Sequence, residues 1–520
     1  MELKNVYQIE QAMLLGRGEL FRLGIAILFV VAIMIYSGLS TEGIPNNYLL
    51  VAAAMIGAYM AMNIGANDVA NNVGPAVGSK TLTLTGAIII AAIFEAAGAL
   101  IAGGDVVGTI KKGIIDPAAI PDGQTFVWLM MAALLAGALW LNIATYYGMP
   151  VSTTHSIVGG VLGAGIAAGG IEIANWNKMG AIAASWIISP VLGGIIAAIF
   201  LYIIKRTITY QKDMIEAAQR VVPVLIAIMS WAFGTYIILK GLKKIWKVDI
   251  LTAAPTALAI AIVIYVIIRP IIKKTAKTLP KGKEGVNKLF VVPLICAAAL
   301  LSFAHGANDV ANAVGPLAAI NDSILHGGVV SKATIPLWVM MVGAIGIAIG
   351  LSLYGPKLIR TVGSEITELD QSRAFCIAMA ASITVIIASQ LGLPVSSTHV
   401  AIGAVFGVGF LREAIKSNYA EVVAEIKHHH EGEEDHVAED FLSAFEGASF
   451  DEKGGMLQEL KKRSNKTLSK KERKGLRREY HKELVKRSAA LKIASAWIIT
   501  VPLSGLMAAM LYFMIRGMLL

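Results

Sequence analysis

The stretch that decides the fold is Gly65-Ala66-Asn67-Asp68-Val69-Ala70-Asn71-Asn72-Val73-Gly74-Pro75, which returns as Gly306-Ala307-Asn308-Asp309-Val310-Ala311-Asn312-Ala313-Val314-Gly315-Pro316. The copies differ only where Asn72 is matched by Ala313. Each copy is polar and glycine-broken, yet each lies between apolar runs long enough to cross a membrane. A carboxylate and carboxamides at bilayer depth are costly, which marks them as a functional site by default. One copy in each half points to an internally repeated membrane protein whose site lies where the halves meet.

Composition agrees with that reading. Of 520 residues, 56% are hydrophobic and only 15% charged, and the mean hydropathy is +0.67. Soluble domains carry about 25% charged residues. Many apolar runs reach the roughly 20 residues that a helix needs to cross about 30 Å of hydrocarbon. The net charge of +10 fits basic cytoplasmic loops and does not argue for nucleic acid. Cys296 and Cys376 both lie in apolar segments, so no disulfide framework follows.

Outward from the two motifs, the chain divides into six parts. Residues 1–40 hold an extra leading span (Phe21–Leu39), read as an uncleaved anchor. Residues 45–206 form a first repeat, with Glu95 in the span after the motif and a polar connection at Gly103–Thr125. Residues 207–288 hold a central pair of spans and a loop carrying Lys273, Lys274, Lys277, Lys281 and Lys283, a cytoplasmic marker. Residues 289–411 begin the second repeat. Residues 412–490 form a hydrophilic insert with a histidine cluster (His428, His429, His430) before a basic run. The insert reads as a helical hairpin or partly disordered loop, and its histidines as part of a solvated face. Residues 491–520 close the second repeat, with Trp497 matching Trp186. The loop equivalent to the insert, Ile171–Asn177, lacks Lys and Arg and reads as external. Equivalent loops on opposite sides mean inverted repeats, with the N-terminus and the insert cytoplasmic. The expected fold is all-α and membrane-embedded. It has two inverted repeats of about five segments each, broken helices, re-entrant segments and about twelve or thirteen crossings.

Each motif should break its helix, because proline removes a backbone donor and glycine weakens the helix. Asp68 and Asp309, with Asn67, Asn71, Asn308 and Asn312, offer hard oxygen ligands for a small cation. A second pair of runs, Pro150-Val151-Ser152-Thr153-Thr154-His155 and Pro394-Val395-Ser396-Ser397-Thr398-His399, reads as proline at the first helical position. Their hydroxyls then lie in a first turn whose unpaired amides favour an anion, phosphate above all. Ser152, Thr153, Thr154, Ser396, Ser397 and Thr398 would donate to a dihydrogen phosphate, which would give its own protons to Asp68 and Asp309. His155 and His399 read as packing or site-lining residues. His305, which stands where the first copy has Ile64, reads as a packing asymmetry.

These paired Gly-Ala-Asn-Asp-Val-Ala-Asn and Pro-Val-Ser-[Ser/Thr]-Thr-His runs resemble the signatures of the inorganic phosphate transporter (PiT) family of cation–phosphate symporters. The resemblance covers both halves outside the first span and the insert. It implies an inverted-repeat transporter of the cell membrane, usually a homodimer, taking up phosphate with sodium or protons and without a cofactor. It carries cation and phosphate contacts onto Asn67, Asp68, Asn71, Asn308, Asp309, Asn312 and the two Ser/Thr clusters. Glu95 looks like a family glutamate with a coupling or proton-linked role. The extra leading span and the position of the large loop depart from the usual pattern. Carboxylate and carboxamide oxygens favour sodium. No Gly-x-x-x-x-Gly-Lys-[Ser/Thr] run is present, which argues against an ATP-driven pump, and no catalytic residue is expected. Two further readings are a sulfate or other oxyanion permease and a phosphate-sensing membrane protein.

Overall fold

A computed structural model describes residues 2–44, 46–241, 248–326, 335–364, 369–416, 443–445, 456 and 487–519. The histidine cluster and basic run of the insert lie outside the described residues. The leading segment is one helix, α1 (Glu2–Ser40). The first half continues as α2 (Asn47–Asn67), α3 (Ala70–Gly78), α4 (Leu84–Ala102), α5 (Gly104–Lys112), α6 (Gly123–Tyr146), α7 (Thr153–Gly169) and α8 (Trp176–Ile204). Two central helices follow, α9 (Met214–Tyr236) and α10 (Ile250–Ala276). The second half holds α11 (Lys283–Leu289), α12 (Val291–Asp309), α13 (Ala311–His326), α14 (Leu337–Ser364), α15 (Gln371–Gln390), α16 (Ser397–Lys416) and α17 (Arg487–Leu519).

Apolar interiors end at polar caps. Thr83, Asp122, Asn175, Asp213, Asp249 and Asp370 each accept a backbone N–H from the first turn of the helix they precede, satisfying donors that helix geometry leaves over. Among the described residues, eleven helical segments are long and apolar enough to cross a membrane, counting α2 with α3 and α12 with α13 as single segments. They match the expected segments once the two helices that begin at the proline motifs are set aside. Of these, α7 has 17 residues, about 25 Å at 1.5 Å per residue, short of a full crossing.

The halves interlock crosswise. Helix α2 packs on α14 and α12 on α4, while α7 packs on α17 and α16 on α8. The first two crossings are backbone on backbone. A Cβ on Gly65 would stand 1.9 Å from the Ile347 carbonyl oxygen, and one on Gly306 would stand 2.2 Å from that of Glu95. Small residues at such crossings let helices meet where lipid supplies no hydrophobic drive. The two contacts also fix a register between the halves: Glu95 occupies the place that Ile347 holds in the other.

The stretch Gly103–Thr125, expected as a polar connection, contains α5 instead. Two of its charges are paired: Lys111 bonds Asp322 of α13, and Asp105 bonds Lys240. The Lys111 and Asp322 side chains are only 6% and 3% exposed. Removing one member of a buried pair strands the other and costs about 3–5 kcal/mol, whereas apolar replacement of both is near neutral. Lys111→Met alone should therefore lower the unfolding temperature in detergent markedly. Lys111→Met with Asp322→Leu should recover most of it. A single variant as stable as the native chain would exclude the pair as a support of the fold.

Candidate functional site

Both polar motifs interrupt their helices at the aspartate, not at the proline. Helix α2 ends at Asn67 and α3 starts at Ala70; α12 ends at Asp309 and α13 starts at Ala311. At the first break, Asn71 N–H bonds the Asp68 carbonyl at 3.0 Å and Asn72 N–H bonds that of Val69 at 3.1 Å. These three-residue bonds tighten the turn and aim the carboxylate sideways. Pro75 and Pro316 lie inside α3 and α13, correcting the expected break point. Surrounding helices tolerate the lost bond at that depth.

The proline motifs also differ from expectation in one detail. Pro150 and Val151 precede α7 rather than starting it, because Ser152 takes the cap in an extended conformation. Ser152 and Ser396 are caps: their Oγ atoms accept from His155 N–H (3.1 Å) and His399 N–H (3.2 Å). The first turns therefore hold Thr153 and Thr154 in one half and Ser397 and Thr398 in the other.

These four elements converge on the two acids, which are buried. Asp68 Oδ2 accepts from Thr153 Oγ1 at 2.5 Å, and its Oδ1 accepts from Thr398 Oγ1, 330 residues away, at 3.0 Å. Asp309 Oδ2 accepts from Ser397 Oγ at 2.7 Å. Asn71 Nδ2 donates to Thr398 Oγ1 at 2.8 Å, while Asn312 Nδ2 donates to Thr153 Oγ1 (3.0 Å) and Thr154 Oγ1 (3.2 Å). Each half thus holds the other's hydroxyls. Thr154 itself donates to the Val395 carbonyl at 3.0 Å.

Asn67 and Asn308 are turned elsewhere. Asn67 donates to Thr145 Oγ1 (2.9 Å) and the Met149 carbonyl (3.1 Å) and accepts from Val151 N–H (3.1 Å). Asn308 donates to Ser389 Oγ (2.9 Å) and the Leu393 carbonyl (3.3 Å). Both clamp the loops that lead into the proline motifs, and the bonded set of Asn67 weighs against its being a cation ligand. Among the described residues, the buried oxygens of the two motifs left without a hydrogen-bond partner are Oδ1 of Asn71, Asn72, Asn308, Asn312 and Asp309. Unpaired buried acceptors cost about 1–3 kcal/mol each, and hard oxygens of this kind suit a small cation.

His305 is not the packing asymmetry its position implied. Its Nδ1 lies 2.7 Å from Glu95 Oε2, and its Nε2 lies 2.8 Å from Asp309 Oδ2. Asn72 Nδ2 donates to Glu95 Oε1 at 2.7 Å. Glu95 is thereby joined to the site through His305. Each imidazole nitrogen faces a carboxylate oxygen, so two hydrogens must lie along that line for both contacts to be hydrogen bonds. Asp68, His305 and Asp309 each present a ligand atom, all within 4.8 Å of one another. The signals for this chain were the mismatches between repeats, Asn72 for Ala313 and His305 for Ile64. His155 and His399 pack edge to face at 4.4 Å, with His155 also 3.9 Å from the Trp186 ring.

Two buried acids, two helix starts and orphan oxygens meet inside a multi-pass helical membrane protein, the features that a small anion with its counter-ions would need. Comparison with known sequences supplies the family. The profile of the "Phosphate transporter family" matches residues 64–508. The chain belongs to the phosphate transporter family. A "Putative phosphate permease" of Helicobacter pylori J99 is 50% identical over 523 residues, covering 98% of both chains. One of Pyrococcus abyssi is 40% identical over 379 residues, 72% of this chain and 92% of that one. A solved structure, "The sodium-dependent phosphate transporter", superposes with a TM-score of 0.73 at 30% identity, covering 90% of this chain and 99% of the other. The protein is thus a multi-pass membrane transporter and not an enzyme.

Proposed function

We propose that this transporter carries inorganic phosphate into the cell together with a coupling cation, sodium in preference to the proton. The observation that carries the reading is the crosswise bonding of Asp68, whose carboxylate accepts from a helix start in each half. In the bound state, phosphate takes over hydroxyl donors from Thr153, Ser397 and Thr398. The first-turn amides of α7 and α16, which helix geometry leaves without intrahelical acceptors, add to them. Sodium is drawn to the carboxylates and the orphan oxygens of Asn71, Asn308, Asn312 and Asp309. The solved neighbour named for sodium dependence supports that choice. Crosswise packing and the absence of Lys and Arg from the loop equivalent to the insert support inverted repeats, with the N-terminus and the 412–490 loop cytoplasmic. A homodimer is proposed on the family resemblance alone.

The test is labelled phosphate uptake into proteoliposomes under separately imposed sodium and proton gradients. Uptake should follow the sodium gradient; uptake driven only by the proton gradient would reverse the cation assignment. Selectivity should follow hydrogen-bond chemistry. Dihydrogen phosphate brings donors to Asp68 and Asp309, whereas sulfate only accepts and leaves them unpaired, at about 1–3 kcal/mol per group. That is a preference of roughly ten-fold or more. Arsenate should compete with labelled phosphate and sulfate should not; equal competition by sulfate would replace this reading with a general oxyanion permease.

A further inference from the structure

The joint between α8 and α9 is built around two arginines that the transport site does not use. It winds as a π-helix, Lys205–Thr209, closed by a bond from Tyr210 N–H to the Lys205 carbonyl at 2.9 Å. Wide turns of this kind recur at functional sites. Beside it opens a cavity of about 560 Å³, lined by Arg206, Thr207, Tyr210 and Gln211 of the joint and by Arg220 of α9. That is the size of a small-ligand site. No carboxylate lines it. Arg206 makes no ion pair among the described residues. Arg220 pairs with Glu216 one turn away, and both are exposed; surface pairs of this kind are weak and give way to a stronger anion.

The cavity lies at headgroup depth. From Trp176, the exposed first residue of α8, to Arg206 the chain rises about 45 Å at 1.5 Å per residue, the thickness of a bilayer with its headgroups. The exposed rings of Tyr202 and Tyr210 mark the same level, where aromatic side chains settle. The basic run Lys273–Lys283 lies at this end too. Gly285, just beyond it, faces Ile215 near the start of α9, where an added Cβ would stand 2.7 Å from that side chain. The cavity also opens toward lipid. Helices α8 and α9 pack on the joint but hardly on each other, so they part as they enter the membrane. The faces that line the cavity continue as exposed apolar stripes, Ile203 and Ile199 on α8 and Val224 and Ile228 on α9, at the three- and four-residue steps of one helix face. Arginine grips phosphate oxygens with a two-pronged fork, and basic pockets between helices on the cytoplasmic side suit anionic headgroups. We infer that this cavity holds the phosphodiester headgroup of an anionic phospholipid between Arg206 and Arg220, with Tyr210 and Gln211 as neutral donors and an acyl chain in the wedge between α8 and α9. A free phosphate offers the same oxygens but nothing to fill the wedge.

The inference is independent of cation coupling, and its test does not read transport. Native mass spectrometry of the purified full-length protein counts the lipid it retains when titrated in detergent with phosphatidylglycerol, or with phosphatidylcholine of the same acyl chains. The native protein should keep one phosphatidylglycerol per chain in preference to phosphatidylcholine. Arg206→Ala/Arg220→Ala should weaken that retention by about ten-fold or more and leave phosphatidylcholine unchanged. Both arginines are exposed, so the variant should fold; should it not, Arg206→Gln alone must lower phosphatidylglycerol retention in the same direction. Lys273→Ala/Lys274→Ala removes two charges outside the cavity and should retain phosphatidylglycerol as the native chain does. Native retention in the arginine variants, or an equal loss in the lysine variant, would overturn the inference. Release of phosphatidylglycerol by excess inorganic phosphate would assign the cavity to a free anion and overturn the lipid assignment equally.

Discussion

Asp68→Asn and Asp309→Asn should each reduce cation-driven phosphate uptake by at least about 100-fold while leaving folded, extractable protein. Asparagine keeps the shape but removes the charge and turns one acceptor oxygen into a donor. At position 68 that change sets an amide hydrogen against a hydroxyl that donates in the native protein, Thr153 or Thr398. At position 309 it does the same at either Ser397 or the orphan Oδ1, where a cation would otherwise be held. A loss of about 2.8 kcal/mol of cargo binding corresponds to 100-fold, which removing one charged ligand from a buried site readily reaches. The fold should survive, because a neutral carboxamide is cheaper than a carboxylate to bury. Uptake by either variant at the native rate, with normal surface expression, would remove that acid from the mechanism.

The second large effect lies in the frame that holds the acids in place. Gly350→Ala should abolish stable, monodisperse protein in mild detergent, although it adds a single methyl group. The added Cβ would lie 1.8 Å from the Met62 carbonyl oxygen, and the same contact at Gly98 is 2.0 Å from that of Phe303. These atoms are backbone, so no side chain can rotate out of the way and two helices must separate. Ordinary overpacking costs about 1–3 kcal/mol; a clash of backbones exceeds that range. Parting α2 from α14 or α4 from α12 would also misalign Asp68, Glu95 and His305. Gly104→Ala is the control. No atom lies within 4 Å of its added carbon, and the exchange of glycine for alanine in a helix should be neutral or gain about 0.5–1 kcal/mol. Thermal unfolding followed by size-exclusion chromatography reads both. Gly350→Ala melting with the native protein would mean that the crossing has slack.

The sequence alone was enough for the class, for the two-fold repetition and for most of the residues that meet at the centre. Length and hydropathy require membrane helices, since no soluble core could hold so many apolar runs. The duplicated aspartate motif and the duplicated Pro-Val-Ser run name nearly all the groups that meet at the site, because polar residues at bilayer depth are too costly to keep without use. Local rules also foretold helix starts at the Ser/Thr clusters, missing by a residue or two because serine is a better cap than first-turn residue.

The tertiary structure alone decided who partners whom. That Thr398 serves Asp68, that Asn312 serves Thr153 and that Asn67 clamps a loop follow from packing α2 on α14 and α12 on α4. It decided too that α5 packs into the fold, with Lys111 and Asp105 paired to other segments. It turned His305 from a misfit in a repeat into the link between Glu95 and Asp309. The physical reason is the solvent. In water, a helix writes its buried face into its sequence as an apolar stripe. In a bilayer both the lipid face and the protein face are apolar, and helices meet through small residues and close backbones. The pattern that would reveal neighbours is therefore nearly absent from the sequence, and contacts between halves exist only once the helices cross.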